Sequence, residues 1–243
     1  MKRIKLYLGL IVVIGFVLSM NAHELGFPTA MFRKGNMYFF GNVGHPQDFV
    51  KAKEWFTKAA DLGNVKAQNN LGLIYLDGRP GVPADIKLAQ KFFGMAAESG
   101  YPPGLHNLAR CLLRENNPER NPGKAFASFL GAAERGFPPS LGEVGLCYER
   151  GVGVPADQVK ARTWFEKGAD DGDPISCGRF GQLLFDGDGV TKDRPRGLAL
   201  LVLGGDPLAV KPAREQASPA ERKDSAIIYN KLLEDLKARA AIE

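Results

Sequence analysis

The chain has 243 residues, a formal net charge of +5 and an apolar share of 44%, which excludes a disordered chain and leaves room for one sizeable domain or an elongated array. Lys2, Arg3 and Lys5 supply three of the positive charges at the extreme N-terminus. Without them the balance is about +2 with signs interspersed, so the basic pI marks neither a nucleic-acid nor a membrane-surface protein.

Behind those three charges comes an apolar run from Leu6 to Leu18, then Ser19-Met20-Asn21-Ala22. Charge, short apolar stretch and small residues in that order predict a secretory signal over 1–22 and a periplasmic mature protein. The run is short for a membrane span, which needs roughly 20 apolar residues. Neither Ala22 nor Ser19 is an ideal cleavage point, and an uncleaved N-terminal anchor is the alternative.

From there the chain repeats itself. Ala59-Ala60-Asp61-Leu62-Gly63 recurs as Ala96-Ala97-Glu98-Ser99-Gly100, as Ala132-Ala133-Glu134-Arg135-Gly136 and as Gly168-Ala169-Asp170-Asp171-Gly172, in steps of 37, 36 and 36. Leu71-Gly72, Leu108-Ala109, Val144-Gly145 and Phe180-Gly181 keep the same beat, and so do Asp48, Asp85, Asn121, Asp157 and Asp193. A period of this length means stacked supersecondary units. Each unit reads as two helices. The first starts on the Asp or Asn, whose side chain accepts an orphan backbone N–H, and ends on the glycine, where a left-handed residue is wanted. The second starts near Ala67, Gly104, Ser140 or Ser176. A glycine-rich loop then closes the unit: Gly78-Arg79-Pro80-Gly81-Val82, Gly151-Val152-Gly153-Val154, Gly187-Asp188-Gly189-Val190.

The expected organisation is therefore a half unit over 24–47, units at about 48–84, 85–120, 121–156 and 157–192, and a partial unit from 193 that Gly204-Gly205-Asp206-Pro207 stops. Residues 204–243 are expected to form a Pro/Ala-rich linker and a capping helix. That helix begins on the capping box Ser218-Pro219-Ala220-Glu221 and carries Ile227, Ile228, Leu232, Leu233 and Leu236 as one apolar stripe. Two places break the pattern. Glu115-Asn116-Asn117-Pro118 replaces a glycine loop, and Ser128 stands where other units have Trp55, Phe92 or Trp164. Both are expected to be locally looser, whereas Trp55, Phe92 and Trp164 are expected in the core.

The combination Trp-Phe-x-x-Ala-Ala-x-x-Gly, Ala-x-x-x-Leu-Gly-x-x-Tyr, Gly-x-Gly-Val and a capping Asp, at 36 residues, resembles the Sel1-like repeat family, a tetratricopeptide-like group, over roughly 24–200. The resemblance implies an all-α fold: a right-handed α/α solenoid of helix-turn-helix repeats with a C-terminal capping helix.

Little in the chain points to chemistry. Cys111 and Cys147 share a column with Ile74 and Leu183, as buried apolar side chains would. Equivalent points on neighbouring helices lie roughly 8–10 Å apart, against about 7 Å for a disulfide, which weighs against a Cys111–Cys147 bridge without excluding it. His23, His45 and His106 have no metal-ligand spacing. Asp186-x-Asp188-Gly189 begins like a calcium loop, but the twelfth position is Gly197. No nucleophile motif is present, and the Gly-x-Gly loops follow no strand. No enzyme activity, cofactor, metal or nucleic acid is expected.

A partner would be read by columns that vary. On the first helices these are Lys53, Gln90, Phe126 and Arg162, and, four residues on, Thr57, Gly94, Leu130 and Glu166, which share a face. Phe126 and Leu130, with Met95 nearby, are apolar where other units are polar. Lys53, Gln90, Met95, Phe126, Leu130, Arg162 and Glu166 are thus the expected partner-binding residues. The competing reading is that Phe126 fills space left by Ser128.

The resemblance implies a monomeric protein-interaction module. More specifically it implies a periplasmic immunity or inhibitor protein acting on a toxic effector such as a type VI phospholipase. An envelope scaffold or regulatory adapter is the alternative. Hydrolase or β-lactam-binding activity, known among cysteine-rich relatives, is a second.

Overall fold

A computed structural model describes residues 27–42 and 44–241. The expected signal, the anchor alternative and His23 lie outside the described residues. Those residues hold twelve α-helices and no strand, and two compact units divide at Arg120/Asn121. No described helix is long and apolar enough to cross a membrane.

The first unit holds α1 (Pro28–Phe40), α2 (Phe49–Asp61), α3 (Val65–Asp77), α4 (Ile86–Glu98) and α5 (Pro102–Leu113). Each helix packs on the next, and α3 also touches α5. The second unit holds α6 (Pro122–Glu134), α7 (Pro139–Arg150), α8 (Gln158–Asp170), α9 (Pro174–Asp186), α10 (Arg194–Gly204), α11 (Pro207–Gln216) and α12 (Pro219–Ala240). It continues the same pairing, with α7 against α9. Each unit is thus a stack of helix-turn-helix repeats.

The capping residues act as their spacing predicts. Asp48, Asp85, Asn121, Asp157 and Asp193 each accept a hydrogen bond from the backbone N–H three residues on, at 2.9–3.0 Å. Such a cap is worth about 1 kcal/mol. For the four aspartates the backbone N–H also closes the preceding loop. Asp48 donates to the Tyr38 carbonyl and Asp85 to that of Tyr75, both at 2.8 Å, and Asp157 to Tyr148 and Asp193 to Leu184, both at 2.9 Å. One residue type in one column thereby starts a first helix and staples it to the helix before.

The core is built from large side chains seated on glycines. Phe56, Phe93, Phe129 and Phe165 are buried at one column of the first helices. A Cβ added at Gly35, Gly72 or Gly145 would fall 2.4 Å from the ring of Phe56, Phe93 or Phe165 respectively. The glycine lets a second helix approach until the neighbouring ring lies on its backbone, and each buried Phe contributes about 2–3 kcal/mol.

This corrects the expectation for the preceding column. Trp55, Phe92 and Trp164 are only half-buried. Lys34 and Lys58 lie over the Trp55 ring at 4.3 and 4.5 Å, Lys167 lies over Trp164, and Phe92 stacks on Tyr75. One step along a helix is a turn of about 100°, so only the second member of each Trp-Phe or Phe-Phe pair points at the neighbouring glycine.

The C-terminal segment also differs from expectation. Between α10 and α12 the chain is not a linker but helix α11, capped by Asp206. Ala213 and Ala217 pack there with Phe185, Leu198 and Leu201. Arg194 joins all three elements: it donates to the Gln216 carbonyl, pairs with Glu221 at 3.4 Å and lies over the Phe185 ring. α12 begins on the expected capping box and covers α10. Its Leu232 joins the core, Leu236 lies beside Gly172, and Arg239 donates to the Asp170 carbonyl. The stripe is incomplete, because Ile227 is 60% exposed.

Cys111, Cys147 and Cys177 are free and buried.

Candidate functional site

The variable columns of the first helices are where the scaffold leaves choices, and the structure divides them. Three of the four residues in the first column have internal duties. The Gln90 side chain accepts from Asn117 Nδ2 at 2.9 Å and donates to the Glu119 carboxylate. Phe126 meets Tyr148 edge-on, with ring centroids 5.3 Å apart. Arg162 donates to the Gly189 carbonyl. Each reaches from a first helix to the second helix or closing loop of its own repeat. Phe126 is thereby set against Tyr148 of its own repeat. Lys53, the fourth member, is half-buried on α2.

The second column is more open. Leu130 is half-buried one turn after Phe126 on α6, and Glu166 is exposed on α8. In the first unit Gln90 and Met95 line a depression of about 350 Å³ together with Lys87, Lys91, Gly94 and Glu98. In the second unit Glu166 lines a cleft of about 720 Å³ walled by Phe180, Leu184, Val190, Arg194 and Arg196. Arg194 and Arg196 are already paired there, with Glu221 and Asp170. The structure thus groups Gln90 with Met95, Phe126 with Leu130, and Arg162 with Glu166, each group on a single helix. The sequence reading passed over Lys87 and Lys91. Their signal was their place one and two turns before Gly94 on the same helical face.

The loop that lacks glycines is not loose. Asn117 is 4% exposed, donates to the Cys111 carbonyl at 2.9 Å and accepts from the Glu119 N–H at 2.9 Å. The second helices of this unit also carry a buried amide pair, in which Asn107 Nδ2 donates to Asn69 Oδ1 at 2.9 Å.

Buried titratable groups are held away from reactivity at neutral pH. Burial pushes the Cys111 and Cys147 thiols up to about 11 and that of Cys177 to about 12, so none is a thiolate nucleophile there. Burial, helped by Arg110, pushes His106 down to about 4. Burial also raises the Asp173 carboxyl, against hydrogen bonds from the Ser176 hydroxyl and N–H at 2.6 and 2.8 Å.

The family model described as Sel1 repeat matches residues 28–64, 65–101, 102–137, 138–173 and 175–204. No curated protein matches the chain. Among solved structures, a protective antigen of uropathogenic Escherichia coli displaying an SLR fold aligns with a TM-score of 0.79 at 24% identity, over 93% of this chain and 49% of that one. The chain thus spans about half the length of that antigen. A Sel1 repeat protein from Oxalobacter formigenes aligns with a TM-score of 0.74 at 26% identity, over 91% of this chain and 93% of that one. Immunity protein Pa5087 from Pseudomonas aeruginosa aligns with a TM-score of 0.52 at 19% identity, over 84% of this chain and 81% of that one.

Proposed function

This chain belongs to the Sel1 repeat family, and from that premise we propose that it works in the periplasm by binding one protein partner, a toxic effector that it neutralises. The observation that carries this reading is the division of labour among columns. The constant positions, Phe56 on Gly35, Phe93 on Gly72 and Phe165 on Gly145, are consumed by internal packing. Outside that packing the first helices leave at least partly exposed a set that changes from repeat to repeat: half-buried Lys53, Met95 and Leu130, and exposed Glu166. A surface of that kind is suited to reading another protein, with a few apolar anchors inside a charged rim.

The choice of an effector as partner is supported by the exported layout read from residues 1–22 and by the fold shared with the Pseudomonas aeruginosa immunity protein. The likeness extends to the fold, and the role is our inference. Affinity capture with tagged mature protein from envelope extract tests it. One protein retained in equal amount, whose toxicity on periplasmic delivery is relieved by co-expression of this chain, is the expected result. Retention of no protein above background overturns the binding reading. A retained protein that is harmless when delivered overturns the immunity role.

A further inference from the structure

Gly94 stands near the middle of α4, where glycine is the poorest helix former after proline. The scaffold glycines justify themselves by contact, since an added Cβ at Gly35, Gly72, Gly145 or Gly181 would strike a neighbour within 3 Å. Gly178 on α9 is open on its own Cβ side, but the backbone of Gly204 is close: a Cβ on Gly204 would fall 2.8 Å from the Gly178 nitrogen. Gly94 has neither excuse. An added Cβ would have nothing within 4 Å, and its backbone angle is not in the left-handed region. The fold loses helix stability at this point and gains no packing for it.

The surroundings say what the bare backbone faces. Gly94 lines the α4 depression together with Met95, next along the helix, and with Lys87 and Lys91 on the turns before it. Among the described residues the ammonium groups of Lys87 and Lys91 form no ion pair, and Lys91 lies over the Phe92 ring at 5.9 Å. Of the two acidic residues in the lining, Glu119 is engaged by Gln90, and Glu98 stands one turn beyond Gly94 on α4. The positive balance is general to this unit: residues 27–120 carry twelve Lys or Arg against eight Asp or Glu, whereas residues 121–241 carry seventeen of each.

We propose that the α4 face around Gly94 is the docking point for an acidic segment of the partner protein, with an apolar side chain seated on Gly94 and Met95 and carboxylates on Lys87 and Lys91. This rests on the protein-binding reading above and adds the place and the chemistry of contact. A residue larger than glycine would lift that side chain off the helix, which is the use that explains the glycine. The unpaired lysines supply attraction that salt weakens.

The test uses the mature protein and a labelled octapeptide, acetylated and amidated, of glutamates around a central pair of leucines. Binding is expected, weakening with added salt. Lys87→Glu with Lys91→Glu is expected to lower affinity roughly tenfold or more, while Lys211→Glu on α11 leaves it unchanged. Gly94→Ala is expected to raise the melting temperature while lowering affinity roughly threefold or more. Opposite movement of stability and binding is a signature that a purely structural glycine cannot give. No binding of the peptide, or binding indifferent to all three α4 substitutions, overturns this inference. Neither result touches the binding reading, which stands or falls on the envelope capture.

Discussion

Asn117 Nδ2 donates to the carbonyl of Cys111 at 2.9 Å from a position only 4% exposed. That carbonyl lies near the C-terminus of α5, where the other repeats turn the chain with glycines. Here one side chain takes over, holding Cys111, Gln90 and the Glu119 N–H together. Asn117→Ala removes all of these and leaves buried groups unpaired. The expected loss is about 2–3 kcal/mol, read as a lower midpoint in urea. Asn117→Asp is expected to be no rescue, since a carboxylate cannot donate to Cys111. A wild-type midpoint in Asn117→Ala would show that this loop is held by other means.

Gln68 is the converse case. Its column otherwise holds Leu105, Leu141 and Cys177, and its Oε1 is buried with no hydrogen-bond partner among the described residues. Its Nε2 makes only a long bond, 3.4 Å, to the Ala60 carbonyl. Gln68→Leu exchanges an orphaned acceptor for the apolar residue that the neighbouring repeats use. A gain of about 1 kcal/mol is expected, seen as a rise of a few degrees in thermal melting. A fall would show that the amide is needed in that column.

The three thiols offer a check on burial. With Cys111 and Cys147 pushed up to about 11 and Cys177 to about 12, Ellman's reagent at pH 7.5 is expected to react slowly with native protein. All three should react at once in guanidinium. Rapid reaction of even one thiol in the native state would contradict the packing around it.

His106 ties stability to pH with a definite sign. Its ordinary value of 6.5 is lowered to about 4, mainly by burial. The unfolded chain therefore takes up a proton between those values that the folded chain refuses. Its contribution is complete above 6.5 and drains away as pH falls toward 4, on the order of 2–3 kcal/mol in all. His106→Gln should melt with a smaller loss between pH 7 and 4.5 than the wild type. Equal losses in the two proteins would exclude this imidazole as a source of acid sensitivity.

Much of the fold was legible because it is written several times. The capping Asp and Asn, the helix-ending glycines and the small residues of the second helices recur in register, and repetition separates signal from accident. What stayed hidden has local physical causes. Trp55 and Phe56 are both apolar and adjacent, and only the position of Gly35 decides which one is covered. Pro207 and Pro212 read as breakers, although Pro207 occupies the first turn, where no N–H is needed, and α11 runs through Pro212. The duties of Gln90 and Arg162 escaped the column argument because long side chains reach loops that column spacing does not describe. The Gly94 face was half legible: the glycine stood in a variable column, but only the empty space above it gives it meaning.

The staple between Asp48, Asp85, Asp157 or Asp193 and the helix before it has a consequence for how the array tolerates change. From Tyr38 to Asp48 and from Tyr75 to Asp85 the chain takes ten residues, and from Tyr148 to Asp157 and from Leu184 to Asp193 it takes nine. The same backbone bond closes both lengths. An insertion or deletion of one residue at the exposed positions between the two anchors therefore alters the loop, around a buried Val82 in one case, and does not slip any helix along its neighbour. Repeats of 37 and 36 residues can then stand side by side in one array without re-tuning the interfaces on either side.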